Sequence, residues 1–362
     1  MITTANVHYI LSVILGLVLL CACTPSEGEQ RRYVDRPLRY EDTVHIKGVT
    51  VADDFPDYTS KEAQQLYDSA AAAGVEWVAI TPCGFLNNID DTVVAWTRWS
   101  RRDYVAGIRA ARSAGLRVFV KPYIWSMDFW SRKKWTGDIV HNDSIRRAAF
   151  FRSYTQWLCD CAAYARDGGA ELFCIGLELP KLSGYAAEWR RLIDTLRTVY
   201  KGPITYACHG IDEAETLPFA DQLSVIGVNI YPSLSRADHP TDADLDSGWA
   251  NVTRRLQKLS SRNNRRIVLT EAGFRSMERT TWASWEWPEH SSRRTDTSAQ
   301  RQAYEALARA CYGQRWFAGI FWWKVYTDPR KQNEGPDGFS PQGKPAWSAM
   351  SRGFRDWTTR TP

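Results

Sequence analysis

Eight short runs rich in β-branched and aromatic residues alternate with longer stretches of helical period between His45 and Lys324, and no other feature limits the fold as much. The runs are His45–Val51, Val75–Pro82, Leu116–Trp125, Glu171–Glu178, Pro203–Cys208, Leu223–Tyr231, Arg266–Glu271 and Trp316–Lys324. Between them, Lys61–Ala73, Asp103–Ala114, Ser144–Ala165, Ala186–Tyr200, Gly248–Ser261 and Ala299–Tyr312 repeat apolar residues every three or four positions, the mark of one buried helix face. Gly74, Gly115, Gly169 and Gly202 stand where these patterns stop, and glycine tolerates the left-handed conformation that ends a helix. Eight strand–helix units predict an α/β fold, a single (β/α)8 TIM barrel. A doubly wound sheet would need a Gly-rich phosphate loop after an early strand, and the chain has none. No internal repeat or Pro-rich linker intervenes, so residues 44–362 are read as one domain.

The N-terminus predicts a compartment. Tyr9–Ala22 is an apolar run too short to span a bilayer but suited to a signal-peptide core. Leu20-Cys21-Ala22-Cys23 then resembles a bacterial lipobox, although Cys at −2 is unusual and no Lys or Arg precedes the run. The reading is a signal peptide over 1–22, a lipidated Cys23, and a charged tether over 23–43. The mature protein is then expected to be a lipoprotein of the bacterial cell envelope, anchored in a membrane without spanning it. Thr24 favours the outer membrane, and Ser26–Glu29 loosely resembles an acidic surface-export signal. Cys83, Cys159, Cys161, Cys174, Cys208 and Cys311 are too scattered for a zinc site or a disulfide framework. Cys174 and Cys208 are the pair to test for a bond, since they fall on adjacent candidate strands.

Charge argues against a nucleic-acid partner. The excess of +5 is small for 362 residues, and basic residues alternate with acidic ones rather than forming a stripe. Aromatic residues are the outlier. Seventeen Trp, 16 Tyr and 13 Phe exceed what a core of this size needs, which places many rings in a cleft.

In a (β/α)8 barrel the active site lies at the C-terminal ends of the strands. The fourth run ends in CIGLELPK and delivers Glu178; the seventh ends in IVLTEAGF and delivers Glu271. Each follows a packed apolar run, so neither carboxylate is read as part of a solvated helix face. The third run contributes Lys121 and Tyr123, with Trp125 and Trp130 beyond; the fifth leads to His209, the sixth to Asn229 and Tyr231, and the eighth to Trp322-Trp323. Successive strand residues face opposite ways, and Trp323 is taken as the one in the cleft. Pyranose rings offer flat C–H faces to indole and hydroxyls to polar groups, so this set predicts an oligo- or polysaccharide substrate. The loop Arg275–Arg294, with Trp282, Trp285, Trp287 and His290, is read as a groove wall or a lid packed on the rim. Pro232–Asp246 reads as a polar surface insertion, and Asp328–Ala346 as cover near the last strand.

Strand-four and strand-seven glutamates on such a barrel resemble clan A of the glycoside hydrolases, and the wording resembles family 113, mainly endo-β-1,4-mannanases. The matching words are Val120–Tyr123, WTGDI (Trp135–Ile139), FFRSYTQWL (Phe150–Leu158), FCIGLEL (Phe173–Leu179), Glu188–Ala207, VIGVNIYP (Val225–Pro232), IVLTEAGF and GIFWWKV. That resemblance implies a retaining hydrolase with Glu178 as acid/base, Glu271 as nucleophile, Tyr231 orienting Glu271, and Trp323 as a floor for the sugar. It implies no cofactor or metal. The clan often has Asn immediately before the acid/base; here it is Leu177, which points to an altered sugar preference. Mannan, glucan and xylan, and endo or exo action, stay open, and a monomer is the default. The competing readings are a non-catalytic carbohydrate-binding lipoprotein and an envelope assembly protein on the same scaffold. Paired carboxylates argue against the first, and the crowd of aromatic residues against the second.

Overall fold

The computed structural model describes residues 45–53, 56–98, 100–286, 293–331 and 334–357; the signal segment, Cys23 and the tether lie outside the described residues, as do Trp287 and His290. Eight parallel strands close into a barrel in the order β1 (Ile46–Val51), β2 (Trp77–Ile80), β4 (Arg117–Val120), β6 (Leu172–Leu177), β7 (Ile204–His209), β8 (Ile226–Ile230), β9 (Ile267–Ala272) and β10 (Phe317–Val325), which returns to β1. All eight fall within the runs read from the sequence, give or take a residue at the ends.

Helices between the strands form the outer layer: α1 (Lys61–Ala72), α2 (Tyr104–Ser113), the short α3 (Met127–Ser131), α4 (Ser144–Gly168), α5 (Ala186–Val199), α6 (Gly210–Thr216), α7 (Asp242–Asn263) and α8 (Thr297–Cys311). Their starts are chemically marked. Ser60, Asp103, Asp143 and Asp296 each accept a hydrogen bond from a backbone N–H of the first turn, satisfying a donor that has no partner within the helix. Gly74, Gly115 and Gly169 take the expected left-handed conformation at φ 83–84°. Gly202 does not: α5 ends instead with Tyr200 in extended conformation.

The third run is a correction. Pro122 has no N–H for a ladder, so the strand breaks there and a separate element follows, β5 (Tyr123–Ser126). It pairs in parallel with β3 (Cys83–Leu86), a two-stranded sheet that the sequence reading did not separate from the barrel. A second correction is α7, which starts at Asp242, inside the supposed surface insertion. Thr241 and Asp244 form a capping box there, each side chain bonding the other's backbone N–H. A third is α9 (Pro345–Trp357), a helix beyond the last strand that was not anticipated.

Inside the barrel, Ile46, Trp77, Phe119, Leu172, Cys174, Val225, Val268 and Phe321 form one cluster, and the larger core lies between strands and helices. Gly48 makes room for the Phe321 ring, which a Cβ would approach to 2.4 Å. At the N-terminal end of the strands, the buried Trp357 of α9 stacks on His45 at 4.6 Å and on Tyr312 at 4.4 Å, so the end of the last helix packs beside the start of β1. Cys174 belongs to the interior cluster while Cys208 packs in the outer core. The two thiols therefore face opposite sides of the strand wall, both are free, and the tested disulfide is absent.

Candidate active site

The register of three adjacent strands lays out a row of polar groups. His209 at the end of β7 pairs with Asn229 on β8, and Asn229 pairs with Glu271 on β9. Each such pair sits side by side on one face. Irregular registers lie next to the row, between Cys174 and Leu177 on β6 and between Val228 and Asn229 on β8. Bulges of this kind re-aim the following side chains, and here they flank both carboxylates.

Glu178 follows β6 directly, with φ 49° at a non-glycine residue. A left-handed residue of this kind costs about 1–3 kcal/mol and persists only where its surroundings hold it. The hold is visible. The Glu178 N–H donates to Ala207 O at 2.9 Å, and the next N–H, of Leu179, donates to the Tyr206 hydroxyl at 3.0 Å. Tyr206 donates in turn to Glu213 on α6 at 2.8 Å, and the other oxygen of Glu213 accepts the His209 N–H at 2.5 Å. Gly176 lets this brace close, because a Cβ there would meet the Tyr206 ring at 2.6 Å. Burial pushes the Glu213 carboxyl above its usual range.

The two mouth carboxylates are held by different partners. Glu178 Oε1 accepts from Asn229 Nδ2 at 2.9 Å and lies 3.3 Å from His209 Nδ1. Asn229 Oδ1 accepts from Thr270 Oγ1 at 2.8 Å, so one amide ties the turn after β6 to the residue preceding Glu271. Glu271, only 7% exposed, accepts from Lys121 Nζ at 2.6 Å on Oε1 and from the Tyr231 hydroxyl at 3.0 Å on Oε2. Burial pushes the Glu271 carboxyl up; the Lys121 ammonium pulls it down, the Glu178 charge pushes it up, and the Tyr231 hydrogen bond pulls it down. The hydrogen bond to Glu178 raises the His209 imidazole, and burial with the neighbouring carboxylates keeps the Tyr231 phenol protonated as a donor.

Lys121 is 1% exposed and Asn229 2%, and both are engaged with the carboxylates themselves. Trp323 stands at the rim with Lys121 Nζ 5.2 Å and Lys324 Nζ 5.4 Å from its ring centre, while Trp322 stacks on Tyr304 in the outer core at 3.8 Å. The Trp323–Lys324 peptide is cis. Tyr123 bears on the Cys83 thiol. Trp125 stacks on Phe85 at 5.6 Å, on the small sheet. Trp130 on α3 is 84% exposed and Trp285 56%. Trp282 lies between the guanidinium groups of Arg279 and Arg293. Its loop packs on the rim: buried Arg275 donates to Asp337 and to Glu286 O, and Leu234 N–H donates to Thr281 O.

Sequence reading missed Glu213 and the pairing of Lys121 with Glu271. An acidic residue in GIDEAET reads as a solvated face, and two residues 150 apart carry no shared local signal. It also left unassigned Trp135, whose ring lies 4.6 Å from that of His209. Among the described residues, no group of three or more His, Cys, Asp or Glu could hold a metal ion.

The model of glycoside hydrolase family 113 matches residues 51–344. Among solved structures, the family 113 β-mannanase AaManA from Alicyclobacillus acidocaldarius is 23% identical, with a TM-score of 0.76, over 87% of this chain and 99% of that one. A second family 113 β-1,4-mannanase is 19% identical, with a TM-score of 0.75, over 86% and 99%. A family 5 mannosidase from Rhizomucor miehei is 11% identical, with a TM-score of 0.62, over 89% and 95%. At these identities the likeness speaks for the barrel fold. No curated protein matches the chain significantly.

Proposed function

The chain belongs to glycoside hydrolase family 113, and from that premise we propose that it cleaves β-1,4-linked mannan or manno-oligosaccharides by double displacement. Glu271 is the nucleophile and Glu178 the acid/base. The observation that carries this reading is the bridge through Asn229, which holds a half-covered carboxylate and a buried, lysine-paired one in a single network. Similarity to enzymes described as β-1,4-mannanases supports the substrate.

In the first step a carboxylate oxygen of Glu271 bonds to the anomeric carbon as the glycosidic C–O bond breaks. The proton of Glu178 goes to the leaving oxygen. Glu178 Oε1 is taken by Asn229 and His209, so Oε2 is the oxygen that serves the leaving group. In the second step Glu178 removes a proton from water, whose oxygen bonds to the anomeric carbon and releases Glu271 with net retention. This geometry calls for carboxyl groups about 5–5.5 Å apart. Lys121 favours the ionised nucleophile, and Tyr231 fixes its plane. A lipid on Cys23 anchors the enzyme, as a monomer, in the cell envelope.

The test is hydrolysis of β-linked manno-, gluco- and xylo-oligosaccharides, with product anomers followed by NMR. Retained configuration is expected with the manno series, and Glu178→Ala lowers the rate by about 10²–10⁴-fold. Azide then discriminates the roles: Glu178→Ala yields the β-glycosyl azide and Glu271→Ala the α-azide. Cleavage confined to another glycan overturns the mannan assignment and keeps the mechanism. Binding without cleavage, unchanged in both variants, overturns the hydrolytic reading in favour of a glycan-binding protein.

A further inference from the structure

Trp135 precedes a short 3-10 turn (Thr136–Asp138) in the loop that follows α3, and its indole is 39% exposed. The ring packs over Gly137, where a Cβ would fall 2.1 Å from it, so any other residue there would displace the indole. Beside it stands the His209 imidazole, 4.6 Å away between ring centres and tilted by 50°. His209 in turn lies 3.3 Å from Glu178 Oε1. The loop is latched to the same turn that presents Glu178, since Asp138 pairs with Lys181 at 2.8 Å, three residues beyond it. A half-open aromatic face is thus fixed beside the proposed acid/base, two contacts away from its carboxyl oxygen.

The opposite side of the site is furnished differently. Lys121, Tyr231 and Trp323 gather around Glu271. A nucleophile must touch the anomeric carbon of the sugar that stays on the enzyme, and the acid/base must touch the oxygen of the sugar that leaves. The furniture around Glu271 therefore serves the retained sugar, and the furniture around Glu178 serves the departing one.

We propose that Trp135, edged by His209, is the stacking platform for the departing sugar, a pyranose on the reducing-end side of the scissile bond. The flat C–H face of that ring lies on the indole, and His209 Nε2 meets one of its hydroxyls. The same platform receives an incoming acceptor sugar when the glycosyl-enzyme is intercepted by a saccharide instead of water. This inference rests on the hydrolase reading given above.

The experiment compares two substrates with the same retained part, a manno-oligosaccharide and the corresponding manno-oligosaccharyl fluoride, whose leaving group has no ring to stack. In Trp135→Ala the ratio of kcat/KM for the oligosaccharide to that for the fluoride falls about tenfold, the weight of one aromatic contact. Transfer to an added acceptor sugar falls with it, and Trp135→Phe recovers most of both. Equal losses on the two substrates overturn the proposal, because the ring then serves the retained sugar or the fold. An unchanged ratio also overturns it. If the wild-type enzyme turns over neither substrate, the hydrolase reading itself fails and takes the platform with it.

Discussion

Lys121 sets the charge that Glu271 feels. Burial alone pushes that carboxyl up, and the ammonium 2.6 Å away is the largest opposing influence. The nucleophile must be ionised, so its pKa marks the acidic limb of the pH–activity profile. Replacing Lys121 by Gln removes the opposing charge and leaves burial and Glu178 acting in the same upward direction. The acidic limb of kcat/KM is therefore expected to move to higher pH, by about 1–3 units. An unmoved limb with lowered activity would reduce Lys121 to a packing role. Because both partners are buried, the unpaired carboxylate also costs about 3–5 kcal/mol of stability above that limb. Thermal unfolding measured at two pH values separates this effect from the kinetic one.

At the scale of elements, α6 matters more than its seven residues suggest. Its Glu213 joins the end of β7 to the turn after β6 through His209 N–H and the Tyr206 hydroxyl. Glu213→Ala strands these donors, and buried donors without partners cost about 1–3 kcal/mol. The expected outcome is a lower melting temperature together with a reduced kcat, while Glu213→Gln, which keeps one acceptor, retains most of both. A fall in melting temperature with kcat untouched would sever the brace from catalysis. The strand ends that carry Glu178 and Glu271 were legible in the sequence because an apolar run must stop where the barrel meets water. The break at Pro122 went unread, although the missing N–H is written in the residue. The capping box at Thr241 and Asp244 went unread in the same way, and it places the start of α7 inside the supposed insertion. What could not be read were contacts between elements. Nothing local joins Lys121 to Glu271, and whether Glu213 faces solvent or core depends on where Tyr206 points. Strand parity was available but easily misapplied: adjacent strands do not bring two cysteines together when one faces inward and the other outward.

The whole molecule divides its work between two poles. The carboxylates stand at the C-terminal ends of the strands, whereas Trp357 packs against Tyr312 and His45 beside the opposite ends. That division is general for barrels: chemistry is varied at one end and stability kept at the other. The proposed membrane anchor rests on one residue, Cys23, and can be tested there. In Cys23→Ser, incorporation of a labelled fatty acid is expected to vanish and the protein to move to the soluble fraction; persistent labelling would overturn the lipoprotein reading. The described barrel holds its cysteines as thiols. All six described cysteines are free; burial pushes the Cys83 thiol up to about 12 and, with local hydrogen bonds opposing, the Cys174 thiol up to about 11. Such thiols are packing atoms that resist forming thiolates. Cys174 and Cys208, on opposite sides of the strand wall, are kept from pairing by the folded barrel itself. The folded barrel thus stands without a bond between these two strands, and an oxidant that joins Cys174 to Cys208 must first open the wall that separates them.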